Sequence, residues 1–351
     1  MTTSSRSGDR PYLSMVIAGR NDDYGGNFLG RLKASLSSID LIAQALSGSV
    51  ELVLVEWNPP ESAPRLMQTG ILSSVTSNIS ITVVEVPQTV HASLPNADRI
   101  PFFEYVAKNT GIRRASGEYI LATNSDIIFG RGIAEYLGRR CLRADSYYRA
   151  VRYDITPIHE ASAPTEEQER YWQENWIRAA LPVGLIERKS IRPLAKLHAA
   201  FRPWTGVRSL ARHPIRELKA LRTIYRSFLN CSGDFFLLSR DAWHELLGYP
   251  ELATYHHIDS IACLLALELG LKPVNLGLPI YHQDHTRDQA ADRPFTGWEE
   301  NVRPLLWSAS TPARKRRGLG NGVAWKPNAQ DWGLVNVSLP QHRFDGNHHQ
   351  A

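Results

Sequence analysis

Short apolar runs alternate with stretches of helical periodicity in the first half of the chain. Residues 13–18, 50–57, 79–86 and 119–123 are apolar over the length of a strand. Between the first two runs, apolar side chains recur at threes and fours, as on one face of a helix: Phe28, Leu32, Leu36, Ile39 and Ala43. This alternation predicts an α/β fold in which helices cover a parallel sheet.

The pattern is more interrupted in the second half. It predicts a strand at 147–151, a loop and short helix at 160–176, and helical spacing over 215–228. Further strands are predicted at 233–238, 273–276 and 279–285, with helices at 240–247 and 258–269. We therefore predict one domain over 11–286, with 160–228 as a basic helical and loop insertion. Residues 287–351 form a C-terminal extension that packs on this domain or trails from it.

Charge is distributed unevenly along these 351 residues. The net charge is +5, but residues 178–226 alone hold 12 Lys and Arg against Glu187 and Glu217. The three cysteines lack the paired spacing of a disulfide framework or a structural zinc site, which favours a reducing setting. Because residues 1–10 are polar and resemble no signal peptide, a cytoplasmic location is expected.

An acidic residue follows the fourth apolar run. The run ends in Asn124-Ser125-Asp126, and the carboxyl edge of a parallel sheet is where open α/β folds bind ligands. A carboxylate there is suited to a hard divalent cation. An Asx turn that ends a buried strand is the alternative interpretation. Asp126 is the first candidate for a functional residue.

The order of these pieces resembles a GT-A fold glycosyltransferase of the family 2-like, nucleotide-sugar-dependent class. The resemblance covers about 12–286 and is carried by residues 18–22, 56–58, 109–117, 124–126 and 232–234, with Asp259 and His282. It implies a Rossmann-like α/β fold with a mixed, mainly parallel central sheet flanked by helices, and transfer of a sugar from a nucleoside diphosphate to a hydroxyl acceptor. It also implies a divalent metal ion, Mn²⁺ or Mg²⁺, that stabilises the departing diphosphate.

The resemblance also assigns metal ligands. Asp126 occupies the last position of a DxD-type motif, and Asn124 replaces the first Asp. A histidine after the last strand completes such sites, which makes His282 the first choice and His285 the second. Neutral imidazole suits manganese or a similar transition ion.

Other residues are assigned to donor binding by the same resemblance. They are Ala18, Gly19, Arg20, Asn21, Glu56, Asn58, Arg113, Asn124, Gly233 and Asp234. The side chains of Glu56 and Asn58 suit uracil or ribose, which favours a UDP-sugar, although Asn58-Pro59-Pro60 also suits an ordinary turn. Arg20 and one of the adjacent Arg113 and Arg114 are candidates for the diphosphate.

Asp259 is the candidate general base. In this family a Glu-Asp pair begins the helix, and here Ile258 replaces the Glu. Deprotonation of the acceptor hydroxyl by Asp259 implies inversion at the anomeric carbon. Two alternatives remain: a helix cap, because Asp is a preferred N-cap residue, and a retaining enzyme in which Asp259 orients the acceptor.

The basic segment has three interpretations. In the first, it forms an amphipathic helix that binds an anionic membrane near a lipid-linked acceptor. In the second, it binds an anionic glycan acceptor. In the third, it is a solvated, mobile segment that covers the domain. We favour a lid on the acceptor side or at the inner face of the membrane. Nucleic-acid binding is the least favoured, because no recognised nucleic-acid module accompanies the charge.

Two other classes of protein stay open. A nucleotidyltransferase should carry a Gly-rich loop with Lys after the first strand, and residues 19–27 contain no Lys. No Gly-x-Gly-x-x-Gly motif follows that strand either, which disfavours dinucleotide and P-loop sites. A catalytically idle nucleotide-sugar-binding module remains an alternative, because the first Asp of the motif and the family's Glu are both missing.

Overall fold

The structure is a computed structural model that describes residues 10–158, 162–181, 184–188, 215, 222–223, 225, 227–252, 257–286 and 328–345. Most of the basic segment, including most of the helix predicted at 215–228, lies outside these residues. Within them the strands are β1 (Leu13–Gly19), β2 (Val50–Trp57), β3 (Ser80–Val86), β4 (Tyr119–Asn124), β5 (Ile127–Phe129), β6 (Ser146–Ile155), β7 (Arg178–Leu181), β8 (Gly184–Glu187), β9 (Phe235–Ser239), β10 (Lys272–Gln283) and β11 (Gln341–Asp345). The helices are α1 (Phe28–Ala45), α2 (Gln88–His91), α3 (Glu104–Arg114), α4 (Arg131–Gly138), α5 (Glu166–Asn175), α6 (Arg240–Leu246) and α7 (Ile258–Glu268).

The described strands form one mixed sheet. Its order is β11-β3-β2-β1-β4-β9-β6-β10-β5, and β7 and β8 extend it from β6. Neighbours from β3 to β4 run parallel, and so do β6 and β10. By contrast, β9, β5, β7, β8 and β11 join antiparallel. The predicted α/β fold with a mixed sheet is confirmed. Its parallel pairs lie within β3-β2-β1-β4 and between β6 and β10.

Helices cover both faces of the sheet. Along β1, Met15 and Ile17 pack into one hydrophobic core together with α1 and α4. The alternate residues Val16 and Ala18 face the second core, which α3, α6 and α7 complete. Both sets of side chains are buried because successive residues of a strand point to opposite faces. The apolar face predicted for α1 is the face that α1 buries.

The strand β10 is longer than its sequence suggests. Two prolines, Pro273 and Pro279, make the segment resemble two short strands, yet it is one strand whose register with β6 shifts between Asn275 and Pro279. Gly277 lies within this irregularity at a φ of 65°, which glycine adopts readily. The continuous strand brings His282 to the carboxyl edge of the sheet.

The described part of the C-terminal extension packs on the sheet. Strand β11 pairs with the outer edge of β3, and Trp332 is buried in the core that contains α3 and α6. Arg113 lies over the Trp332 ring at 5.0 Å from its centroid. None of the described helices combines the length and the apolar composition needed to span a bilayer.

Candidate active site

Three potential metal ligands meet at the carboxyl edge of the sheet. Asp126 lies in the turn between β4 and β5, His282 lies in β10, and His285 follows that strand. From Asp126 Oδ2, the distance is 3.5 Å to His282 Nε2 and 3.2 Å to His285 Nε2. The backbone N–H of Gln283 donates to the Asp126 carbonyl at 3.1 Å, which ties the turn to β10. We call Asp126, His282 and His285 the metal cluster.

The metal cluster has donor atoms suited to a divalent ion. One ligand atom from each residue can lie within 4.8 Å of the others, and one carboxylate with two imidazoles is a common set for transition metals. The buried Oδ1 atom of Asp126 has no hydrogen-bond partner among the described residues. These residues can therefore hold a metal ion, and their chemistry does not specify which ion.

Charge within the metal cluster favours the ionised form of Asp126. Burial would raise the pKa of Asp126, but the charge of His282 and the hydrogen bonds from both imidazoles hold that pKa well below its usual range. Burial and Arg152 lower the pKa of His282, whereas Asp126 and Asp154 raise it, and the net shift is upward. Metal binding therefore competes with a proton on His282, because only neutral imidazole is a ligand.

Asn124 does not face the metal cluster as a ligand, because both of its polar atoms are engaged. Its Oδ1 accepts a hydrogen bond from Lys108 Nζ, and its Nδ2 donates to Asp234 Oδ1 at 2.8 Å. The Lys108 side chain is fully buried. An amide can accept from a cation and donate to a carboxylate at once, whereas an ionised Asp can only accept. This explains in physical terms why Asn suits the first position of the motif here.

Asp234 is part of a buried ionic chain. Its Oδ2 is 2.8 Å from Arg152 Nη1, and Arg152 Nε is 2.6 Å from Asp154 Oδ1. Asp154 Oδ1 in turn lies 3.2 Å from His282 Nδ1. Lys108, Arg152 and Asp154 are absent from the sequence-based candidates. The signal available for Asp154 is the same as for Asp126, namely a carboxylate at the end of a strand.

Asp259 lies in the first turn of α7 and is half-buried. Its Oδ2 accepts the backbone N–H of Gly233 at 3.0 Å, and its Oδ1 accepts that of Ser260 at 2.8 Å. A side chain at position 233 would bring its Cβ to 2.8 Å from the Tyr105 hydroxyl, so only glycine fits this approach. The structure therefore joins Asp259 and Gly233, and it places them beside Asp234.

The loops after β1 and β2 are tied together. Arg20 Nε donates to the Asn58 carbonyl at 2.8 Å, and Asn21 Nδ2 donates to the Pro64 carbonyl at 2.9 Å. Between the loops lies an open groove of about 490 Å³ lined by Asn21, Asp22, Asp23, Asn27, Leu29, Pro60, Ser62, Ala63 and Pro64. This volume is within the range of small-molecule sites. Ala18 and Gly19, at the end of β1 before this loop, pair with Asn124 and Glu56 of the neighbouring strands.

Glu56 is buried beneath the same loops. Both carboxylate oxygens accept the backbone N–H of Leu66, at 2.9 and 3.0 Å. Burial raises the pKa of Glu56 to about 7, against the lowering effect of that hydrogen bond. In this arrangement Glu56 holds the chain at Leu66 in place.

Arg113 lies away from these residues. It contacts Trp332 and reaches His244 Nδ1 at 3.3 Å, while Arg114 donates to the carbonyls of Gly333 and Leu334. Helix α3 precedes β4, so its last turn lies at the opposite edge of the sheet from the carboxyl end of β4. The first half of α3, which carries Lys108, is the part that reaches the site. The structure therefore does not bring Arg113 together with the metal cluster.

Comparisons with known proteins give remote structural neighbours. No model of a protein family and no curated protein matches the chain. The S. aureus protein TarS, residues 1–349, is 13% identical with a TM-score of 0.39; the match covers 77% of this chain and 60% of that one. Glucosyl-3-phosphoglycerate synthase from Mycobacterium tuberculosis, solved with Mg²⁺ and UDP, is 14% identical with a TM-score of 0.38, over 86% of this chain and 79% of that one. Similarity at this level transfers no property of either protein to this chain.

Replacement of Glu56 by Gln should change how stability depends on pH. The folded-state pKa of about 7 lies above the ordinary value of 4.5, so the native state binds the extra proton and loses stability as pH rises between these values. Glu56→Gln keeps an acceptor for Leu66 without this titration. The difference in free energy of unfolding, Glu56→Gln minus wild type, should therefore increase by about 1–3 kcal/mol from pH 5 to pH 8.

Urea unfolding at pH 5, 6, 7 and 8 measures this difference. The exposed Glu118 provides the control, since Glu118→Gln should follow the wild-type curve. Parallel curves for Glu56→Gln and wild type would show that Glu56 does not titrate in this range.

Restoration of an acidic residue at position 124 should not strengthen metal binding. Asn124→Asp removes the donor to Asp234 and sets two carboxylates against each other. We expect the free energy of unfolding of Asn124→Asp to be about 1–3 kcal/mol below that of wild type at pH 8. The difference should be smaller at pH 5, because a protonated carboxyl group can donate a hydrogen bond again. Urea unfolding and Mn²⁺ titration measure the two effects, with the exposed Asn78→Asp as control. Tighter Mn²⁺ binding at unchanged stability would instead identify position 124 as a ligand position.

Proposed function

We propose that this chain is a metal-dependent glycosyltransferase that uses a nucleoside diphosphate sugar, with a UDP-sugar favoured, and a hydroxyl acceptor. One observation carries the proposal: the loop after β1 lines the groove on one side and contacts His285 of the metal cluster with Tyr24 and Gly25. Gly25 of this loop has no room for a Cβ because His285 lies against it. Tyr24 packs edge-on to His285, with ring centroids 5.3 Å apart.

This arrangement suits a ligand with two chemically different parts. Polar groups of Asn21, Asp22 and Asn27 line the groove and can bind a nucleoside through its imide and hydroxyl groups. The diphosphate of the same donor would bind at the metal cluster, next to Tyr24. A metal ion held by Asp126, His282 and His285 supplies neutralisation of the charge on the departing diphosphate.

Asp259 is the proposed general base. Two backbone N–H groups stabilise its carboxylate, as does the N-terminal dipole of α7. As the acceptor oxygen forms its bond to the anomeric carbon, the bond from that carbon to the diphosphate oxygen breaks. Asp259 takes the hydroxyl proton, and attack from the opposite side inverts the configuration.

One observation favours a second mechanism. Asp259 already anchors Gly233 through its Oδ2 atom, which is a positioning role in itself. In a retaining transferase Asp259 would keep this role and orient the acceptor, while donor binding by the metal cluster would be the same. The anomeric configuration of the product separates the two mechanisms.

The acceptor is proposed to be anionic or carried by an anionic surface. The basis is the concentration of Lys and Arg in residues 178–226, most of which lie outside the described part of the chain. A glycan or a lipid-linked acceptor at the inner face of a membrane would meet this charge.

Loss of Asp126 should abolish metal-dependent donor binding. In Asp126→Ala the metal cluster retains two imidazoles and no carboxylate. We expect Mn²⁺-dependent UDP affinity, measured calorimetrically, to fall at least about tenfold. The half-exposed Asp145, which pairs with Arg143 and Lys272, gives the control Asp145→Asn. Unchanged metal-dependent binding in Asp126→Ala would show that the metal is held elsewhere.

Loss of the Asp259 charge should affect turnover rather than binding. We expect Asp259→Asn to bind UDP as wild type does and to lose about 10²–10⁴ in rate. Hydrolysis of a panel of UDP-sugars with Mn²⁺ measures turnover, with water as acceptor. Asp241 occupies the equivalent first turn of α6, so Asp241→Asn is a matched control.

Two results would contradict this proposal. Undiminished turnover in Asp259→Asn would remove this residue from the chemistry. Wild-type protein that binds UDP but turns over no sugar nucleotide would point to an idle binding module.

A further inference from the structure

His282 belongs to two overlapping groups of potential metal ligands. The first is the metal cluster, and the second consists of Asp154, His282 and Asp284. The two ring nitrogens face different groups, since Nε2 is 3.5 Å from Asp126 Oδ2 and Nδ1 is 3.2 Å from Asp154 Oδ1. Only one nitrogen of a neutral imidazole has a free lone pair. The protein must therefore select which side of His282 can bind an ion.

Two arginines close the second group to a cation. Asp154 Oδ1 is 2.6 Å from Arg152 Nε, and Asp154 Oδ2 is 2.8 Å from Arg178 Nε. Arg178 also reaches Asp284 Oδ1 at 2.5 Å. Guanidinium groups keep their charge in proteins, so a metal ion here would lie against two permanent positive charges. The Nε2 side of His282 is the side open to a metal.

The strands hold Asp154 and His282 rigidly beside each other. The residues are directly paired in the parallel register of β6 and β10, and their side chains are 1% and 5% exposed. Nδ1 of His282 is buried and makes no hydrogen bond within the described part of the chain, and the Asp154 Oδ1 atom lies 3.2 Å from it. Asp154 is therefore the acceptor available to an Nδ1–H group.

We propose that Asp154 is a positioning residue for metal binding: it accepts the Nδ1–H of His282 and so directs the Nε2 lone pair towards Asp126. Arg152 and Arg178 hold Asp154 in place from two sides. This inference rests on the metal site of the proposed function, and it assigns a role to three residues outside the metal cluster. Carboxylates that hold a ligating histidine in this way typically contribute about 10–100-fold to metal affinity.

Arg178 connects Asp154 to the basic segment of the chain. It is the first residue of the basic segment 178–226, and it lies on β7, which pairs antiparallel with β6. The segment that carries the surplus of positive charge is thus joined through one side chain to the carboxylate that positions a metal ligand.

The test compares Mn²⁺ affinity in three variants of the full chain. Asp154→Ala removes the acceptor and should weaken Mn²⁺ binding about 10–100-fold. Asp154→Asn keeps an oxygen acceptor but loses the charge, so its loss should be smaller. Asp284→Asn alters only the second group and should stay within about threefold of wild type. Electron paramagnetic resonance of free Mn²⁺ measures these affinities.

A second readout separates positioning from a general loss of structure. The ¹⁵N shifts of the His282 ring in the metal-free protein, assigned with His282→Gln and recorded at a pH where the imidazole is neutral, report its tautomer. Wild type and Asp154→Asn should show the Nδ1–H form, and Asp154→Ala should show a mixture or the Nε2–H form. If Asp154→Ala does not fold, the proposal requires Asp154→Asn to bind Mn²⁺ more weakly than Asp284→Asn does.

Failure of this inference differs from failure of the proposed function. If Asp126→Ala loses Mn²⁺ while the Asp154 variants bind it like wild type, the positioning role is wrong and the metal site stands. If Asp284→Asn weakens binding as much as Asp154→Asn, the second group takes part directly and the inference is overturned. If wild type binds no Mn²⁺, both the metal site and the inference are wrong.

Discussion

The structure of the site depends on the pairing of buried charges at the carboxyl edge of the sheet. An unpaired charge in a protein interior costs several kcal/mol or more, so each buried ion needs a partner in a defined position. Lys108 contacts Asn124, Asn124 contacts Asp234, and the chain continues through Arg152 and Asp154 towards the metal cluster. Removal of one member leaves its neighbours with fewer partners for their buried charges, so each position depends on those beside it in the chain.

Long-range strand pairing puts these partners next to one another. Arg152 and Asp234 are 82 positions apart in the sequence, and β10 reaches the turn at Asp126 only because it pairs with β5 on one side and β6 on the other. The metal cluster is therefore a product of the whole sheet, and no single loop could assemble it.

The sequence predicts best what depends on local periodicity. The strands β1 to β4 and the buried face of α1 could be predicted, because apolar spacing reports directly which side chains are buried. Asp126 could be selected as a candidate because it follows such a strand, and its role stays a prediction. Arg152 and Asp154 could not be ranked, since nothing local shows which distant charges they meet. The position of Arg113 away from the metal cluster could not be predicted, because helical spacing does not show which end of α3 lies near that cluster.

Strand β11 has a consequence for the outer border of the sheet. It occupies the hydrogen-bonding groups on one side of β3, and an uncovered strand rich in β-branched residues, here Ile81, Thr82, Val83, Val84 and Val86, is a template for intermolecular association. Strand β11 places the exposed polar and charged side chains of Gln341, His342, Arg343 and Asp345 at this border, which is a common way to disfavour edge-to-edge pairing. In the strand order, β11 lies at the opposite end from β10 and β5, the two strands next to the metal cluster, so this border of the sheet can be altered without changing those strands.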